Sequence, residues 1–157
     1  DKGEIDIALG LSRRDIDDLR GNSKIKVISS PSNEFLFMPM AMGTAPFNNP
    51  LVRKAMAHIV PYQAIITNVY NGNARRSTSP VPLDMPGHSK KGYPFKFDID
   101  RAKALLKEAG MPQGFKSEIV VMAGSVEESR TAVLVASAAR MAGITLKITK
   151  YSKVDFC

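Results

Sequence analysis

The chain has 157 residues, of which 44% are hydrophobic and 24% charged, and its formal net charge is +7. This composition excludes a disordered chain, and the length predicts a single domain over residues 1–157 with a sizeable core. No apolar run approaches the roughly 18 residues that a membrane-spanning helix needs. A single cysteine, Cys157, excludes an internal disulfide. Strand-like alternation already at the third residue leads us to expect a piece of a longer protein.

In chain order, the first 42 residues predict a strand, a helix and two further strands. These segments are residues 4–9, 12–20, 24–29 and 34–42. The strands are inferred from alternating or continuous apolar residues of high β-propensity. Ser12, with Asp15 three residues later, is typical of a helix cap. Pro39 cannot donate to a ladder, so it indicates that the third strand lies at a sheet edge.

Residues 45–72 predict two short helices separated by a break. Asn49 is a suitable N-cap, and Pro50 suits the first helical position because its missing N–H is not needed there. Pro61 cannot continue the hydrogen-bond ladder, so the first helix is expected to end just before it. Gly72 favours the left-handed conformation that ends the second helix.

The second half of the chain predicts one long loop followed by alternating helices and strands. Residues 73–97 are rich in proline and glycine, and loops of this length in compact domains are usually functional or wrapped around a neighbour. The remaining elements are a helix capped by Asp98 and ended by Gly110, a strand over residues 116–122, a helix from Ser125 to Gly143 and a strand over residues 145–150.

Alternating strands and helices predict an α/β fold with a mixed, mostly parallel sheet flanked by helices. Ligands of such sheets bind beyond the carboxyl ends of the strands, which here are residues 38–42 and 122–125. At the second place Gly124 permits close backbone approach, and a helix N-terminus offers N–H groups to carboxylates or carbonyl oxygens. Ordinary capping of that helix by Ser125 and Glu128 is the alternative interpretation.

The sequence contains none of the usual catalytic motifs. A nucleophile elbow, a glycine-rich phosphate loop, a CxxC pair and an HExxH helix are all missing. His58 and His88 lie thirty residues apart and neither adjoins a carboxylate cluster, so we expect no metal site, no cofactor and no enzyme. Methionines alternate at Met38, Met40 and Met42, which suits core packing or an adaptable apolar binding surface.

Positive charge is concentrated between residues 49 and 96. The basic residues there are Arg53, Lys54, Arg75, Arg76, Lys90, Lys91 and Lys96, against one acid, Asp84. Such a face would suit nucleic acid or an anionic membrane, but charge alone is non-specific and the aromatic residues are few. A solvated face is therefore the interpretation we favour, and nucleic acid is not an expected partner.

Four blocks of the sequence resemble the second lobe of the family-5 extracytoplasmic solute-binding proteins. These are the dipeptide- and oligopeptide-binding receptors of bacterial ABC importers. The blocks are GEIDIA (3–8), PFNNPLVRKAMAHIVPYQAIITNVYNG (46–72), FDIDRAKALLKEAGMPQGF (97–115) and a long helix that ends near Gly143 before a strand. They occur in the family's order and at family-like spacing.

The resemblance implies one lobe of a type II periplasmic-binding-protein-like fold, outside the cytoplasmic membrane, whose first lobe lies beyond this sequence. The two lobes would close on a peptide or similar small solute by hinge motion and deliver it to the importer's membrane subunits. In several peptide binders the loop after the matching strand bonds the ligand backbone. The matching ligand-binding positions are Met122, Ala123, Gly124 and Ser125, with Met38 and Met40 as apolar walls.

Two departures from the family pattern bear on specificity. Met38-Pro39-Met40 stands where many members carry an asparagine, and the segment ending at Tyr62 lacks their acidic residue, so standard peptide specificity is not implied. Arg75 and Arg76 would reach an acidic solute or the importer, although a solvated loop is the interpretation we favour. The alternative function is a basic surface module that docks an anionic partner.

Overall fold

The computed structural model describes residues 4–8, 11, 13–28, 30, 32–89 and 91–152. The described residues form two compact units, divided between Asn33 and Glu34. The first unit contains helix α1 (Arg13–Arg20), where Arg20 and Asp17 form an exposed ion pair at 3.7 Å. This helix was predicted, whereas its expected cap, Ser12, lies outside the described residues. A single domain over the whole chain stays a prediction.

Four helices and a two-stranded sheet make up the described second unit. They are α2 (Pro50–Ile59), α3 (Tyr62–Asn68), α4 (Ile99–Glu108), β1 (Lys116–Met122), α5 (Val126–Met141) and β2 (Thr145–Tyr151). Every element predicted from residue 49 onward is confirmed, and the described part of residues 73–97 contains neither helix nor strand. No helix in the described part of the chain combines the length and apolarity needed to cross a membrane.

Local signals set the ends of the helices. The side chain of Asn49 accepts a hydrogen bond from the amide of Leu51 at 2.9 Å, and Pro50 takes the first helical position. Val60 is extended, with φ −66° and ψ 115°, because Pro61 disfavours helical geometry before it. Asp98 caps α4 in the same way by accepting from the amide of Arg101 at 2.8 Å.

Among the described residues, the core of the second unit consists of apolar side chains. Helix α2 packs mainly on α4, and α5 packs across both strands. The largest fully buried side chains are Met56, Ile59, Leu106, Ile144 and Val52. Removing such side chains from water supplies about 25 cal/mol for each Å² of apolar surface, which is the main stabilisation of this packing.

The two strands are parallel and α5 connects them. Their register runs from Lys116 opposite Thr145 to Met122 opposite Tyr151. The backbone segments before the strands nearly touch, since a Cβ on Gly114 would lie 2.2 Å from the carbonyl oxygen of Gly143. Only glycine at position 114 permits this approach, since a side chain there would overlap the Gly143 carbonyl.

Three of the five predicted strands are wrong as far as the described residues go. Residues 4–8, 24–28 and 34–42 contain no strand, and residues 9 and 29 lie outside the described part. A strand needs a neighbour to pair its amides and carbonyls, and within the described residues only β1 and β2 pair. The α/β fold class is nevertheless confirmed, since a parallel strand pair packs against helices.

Candidate functional site

The candidate site is the turn of residues 122–125, between the end of β1 and the start of α5. Met122 is the last residue of β1, and Gly124 adopts a φ of +90° that favours glycine. The amide of Ala123 donates to the carbonyl of Tyr151 at 2.7 Å, and the amide of Ser125 donates to the carbonyl of Met122 at 3.2 Å. These bonds hold the turn against the end of both strands.

Ser125 and Glu128 cap α5, which is the alternative to a binding role that the sequence predicted for this helix N-terminus. The hydroxyl of Ser125 accepts from the amide of Glu128 at 3.3 Å. The Glu128 carboxylate reaches back to accept from the amide of Met122 at 2.8 Å, three residues further than in a capping box. Glu128 thus fixes the turn and places a negative charge beside it.

Three amides at this turn have no acceptor within the described part of the chain. They belong to Gly124, Val126 and Glu127. The first amides of a helix carry partial positive charge because the peptide dipoles align, and α5 has 16 residues. The turn therefore offers hydrogen bonds to a carbonyl or carboxylate, although the neighbouring acidic side chains oppose a strongly anionic ligand.

An apolar surface adjoins the turn on the open face of the sheet. Val120 and Met122 share a face of β1, and the register places Tyr151 directly opposite Met122. Met122 is 40% exposed and Tyr151 is 38% exposed. Sequence reasoning missed Tyr151 because it predicted that β2 ends one residue earlier; the strand alternation continued for one more position would have included it.

The structure explains Met38 and Met40 through core packing. Both are partly buried and pack against the core of the second unit, whereas Met42 is 65% exposed. No hydrogen bond or ring contact between described residues joins Met38 or Met40 to the turn. Their role as apolar walls of a binding site stays a prediction.

Arg76 is not the solvated loop residue that the sequence favoured. Its guanidinium carbon lies 4.2 Å from the centre of the Tyr62 ring and 5.6 Å from that of Tyr93. The guanidinium also donates to the carbonyl of Tyr93 at 3.3 Å and to the carbonyl of Phe95. Arg76 therefore joins the two ends of the 73–97 loop to the start of α3. Its Nε is buried and has no partner among the described residues.

The same environment alters Tyr62. Burial, reinforced by the neighbouring Tyr93 phenol, raises the pKa of Tyr62 from 10.0 to about 12, while the positive charge of Arg76 opposes the rise. The shift therefore matters only in alkaline solution, where the Tyr62 hydroxyl keeps its proton to a higher pH than an exposed tyrosine does.

The remaining candidates contact the protein itself. Arg75 pairs with Asp84 at 3.0 Å, and both side chains are more than half exposed. The Nδ1 atom of His58 lies 2.8 Å from the carbonyl oxygen of Lys96, and His88 Nδ1 lies 2.8 Å from that of Val81. Within the described ranges no three His, Cys, Asp or Glu side chains come together as metal ligands would.

Comparison with known proteins adds a sequence family to this geometry. The family described as bacterial extracellular solute-binding proteins, family 5 Middle, matches residues 1–156. Among curated proteins, the glutathione-binding protein GsiB of Pectobacterium atrosepticum is 34% identical over 101 residues, which are 64% of this chain and 20% of that protein.

Solved structures show the same likeness in three dimensions. The ABC transporter-associated periplasmic binding protein DppA of Helicobacter pylori, in complex with the peptide STSA, superposes with a TM-score of 0.68 at 33% identity. That match covers 73% of this chain and 22% of DppA. HbpA2 of Haemophilus parasuis gives a TM-score of 0.79 at 28% identity, over 91% of this chain and 29% of HbpA2.

The described second unit thus has the α/β architecture of a lobe of a periplasmic binding protein. The chain spans less than a third of the length of each of these relatives. The family match extends over nearly all of the sequence, including the blocks on which the resemblance was based. The chain belongs to the family-5 bacterial extracellular solute-binding proteins.

Proposed function

We propose that this chain is the substrate-binding lobe of an ABC-importer receptor for peptides or a similar small solute. The observation that carries the proposal is the turn of residues 122–125 and the start of α5, where the amides of Gly124, Val126 and Glu127 have no acceptor among the described residues and adjoin an exposed apolar surface. GsiB is named for glutathione, and DppA was solved with a peptide. Both ligands are short chains of amides that also bear carboxylates, which such donors suit.

The proposed site recognises a solute through its backbone. The amides of Gly124 and Val126 donate to a carbonyl or carboxylate of the solute, while Met122 and Ala123 contact its apolar parts. Ser125 holds the helix end that presents these donors. Met38 and Met40 are proposed as additional apolar walls. The lobe makes and breaks no covalent bond and uses no cofactor.

Closure on the solute is proposed to occur by hinge motion against a first lobe of the same protein. Each lobe would supply one side of a cleft, so neither side alone surrounds the solute. The loaded receptor would then meet the membrane subunits of the importer, outside the cytoplasmic membrane. DppA of Helicobacter pylori is a periplasmic binding protein, and we propose the same compartment for this chain.

Replacing Val126 with proline tests the amide donors directly. Val126 is the first residue of α5, where proline is well tolerated, and Ser125 before it is extended with ψ 107°. Val126→Pro thus removes one N–H while keeping the helix. We expect the full-length protein to bind dipeptides and glutathione about five- to tenfold more weakly, the effect of losing one hydrogen bond. Isothermal titration calorimetry measures the affinity.

The matched control is Val126→Ala, which removes the same exposed side chain and retains the amide. Val126→Ala should leave the affinity for the solute unchanged. Both variants should have the same unfolding midpoint as the parent protein. Equal affinity of Val126→Pro and the parent for every solute that binds would exclude this turn as the ligand site.

A further inference from the structure

A second surface feature lies between α2 and α4 and shares no residue with the turn of residues 122–125. A groove of about 400 Å³ runs there, with Pro94 and Phe95 along one side. Leu51, Phe95 and Leu105 contribute apolar side chains to its lining, and Leu105 is only 3% exposed. Exposed charged side chains from the same two helices border it. They are Lys54, Arg101 and Glu108.

The side of the groove formed by residues 94–95 is held in place before any partner binds. His58 on α2 contacts the carbonyl oxygen of Lys96 through Nδ1, and its own carbonyl accepts from the amide of Asp98, both at 2.8 Å. Arg76 bonds the carbonyl of Phe95 from the other side of the loop. A partner therefore meets an ordered surface, which lowers the entropy cost of association.

The charges of the groove are unpaired within the described part of the chain. Lys54 and Arg101 form no ion pair there, and neither does Glu108. Arg101 and Glu108 are seven residues apart on α4, which separates them by about 10 Å along the helix. Two cations and one carboxylate thus line the groove beside its apolar side chains and leave a net positive charge.

We infer that this groove docks an acidic segment of a partner protein. Carboxylates of the segment pair with Lys54 and Arg101, and its apolar side chains cover Leu51 and Phe95. Nucleic acid fits less well, because bases bind by stacking on free aromatic rings and Phe95 is already engaged edge-to-face with His58, at 5.3 Å between ring centres. The groove shares no residue with the turn of residues 122–125, so the inference does not depend on solute binding.

The test uses a fluorescent 12-residue peptide of alternating glutamate and leucine, with fluorescence anisotropy as the readout. We expect saturable binding that weakens as salt rises, because the attraction is between exposed charges. Lys54→Glu/Arg101→Glu should weaken binding at least tenfold. The control Lys91→Glu/Lys103→Glu makes the same change in net charge on exposed residues outside the groove, and should weaken binding less than twofold.

Three results would overturn the inference. They are no binding of the acidic peptide, equal weakening by the two double variants, and tighter binding of single-stranded DNA or phosphatidylglycerol vesicles than of the peptide. Circular dichroism checks that each variant is folded. If the charge-reversed groove variant unfolds, Lys54→Gln/Arg101→Gln removes the same charges more mildly and should still weaken binding at least threefold against Lys91→Gln/Lys103→Gln.

Discussion

Substituting Gly114 by alanine tests whether the close approach of Gly114 and Gly143 sets the strand register. Gly114 has φ +75°, where an alanine costs about 1 kcal/mol of backbone strain. The added Cβ would lie 2.2 Å from the Gly143 oxygen and 2.4 Å from its carbonyl carbon, whereas ordinary van der Waals contact begins at 3.4 Å. Backbone atoms cannot rotate away, so this clash adds about 1–3 kcal/mol.

Separation of the two segments would also weaken the hydrogen bond from the Thr145 amide to the Phe115 carbonyl, which is 2.9 Å long. Losing that bond costs about 1 kcal/mol. We therefore expect Gly114→Ala to lower the free energy of unfolding by about 3–5 kcal/mol in total. Urea unfolding followed by circular dichroism at 222 nm measures the loss, with the slope of free energy against urea compared between variants.

Gly110→Ala is the matched control for this prediction. Gly110 has nearly the same φ, +77°, but a Cβ there would meet nothing within 4 Å. It should cost only the backbone strain, about 1 kcal/mol. If Gly114→Ala proves no more destabilising than Gly110→Ala, the close approach does not constrain position 114 and does not set the strand register.

Three further predictions follow from the packing and the Arg76 cluster. Leu106→Ala should lower the free energy of unfolding by about 2–5 kcal/mol because Leu106 is buried, whereas exposed Val133→Ala should change it by less than about 0.5 kcal/mol, both measured in urea. Arg76→Gln should lower the free energy of unfolding by about 1–3 kcal/mol in the same assay, since it removes a half-buried cation that donates to two carbonyls. Arg75→Gln should lower it by less than about 1 kcal/mol, because the ion pair of Arg75 is exposed. The contribution of Tyr62 to the free energy of unfolding should be fully present below pH 10 and should be lost as the pH rises towards about 12, because unfolded Tyr62 loses its proton at lower pH than the folded residue. The free energy of unfolding should fall by about 1 kcal/mol over that range, because the ring is partly exposed. Unfolding midpoints measured across the range check this, and the fall should be smaller in Tyr62→Phe.

The sequence was informative where structure depends on near neighbours. Asn49, Asp98 and Ser125 were each identified as helix caps, and each accepts the amide hydrogen bond expected of it. A cap needs only the next three residues, so its signal is complete in a short stretch of chain. The same holds for the helix break at Pro61, whose steric effect acts on the residue before it.

Prediction failed where structure depends on distant partners. Residues 24–28 and 34–42 have strand-like patterns, but a strand forms only when another segment pairs with it, and none in the described residues does. Arg76 was interpreted as solvated because its contacts, Tyr62 and Tyr93, lie 14 and 17 residues away and no local pattern joins them. The turn of residues 122–125 was located from the strand and cap alone, whereas Tyr151 beside it required the register.

The turn and the groove are built on different elements of one apolar core, so the proposed binding of solute and the proposed docking of a partner should be separable. The turn depends on β1, α5 and β2, whose leading segments meet at the close approach of Gly114 and Gly143, and the groove depends on α2, α4 and the loop that Arg76 holds. A substitution at Val126 should therefore alter solute affinity without altering docking of an acidic segment, and charge reversal at Lys54 and Arg101 should do the opposite. Coupling between the two would require a change in the packing of α2 on α5, where the described core joins them.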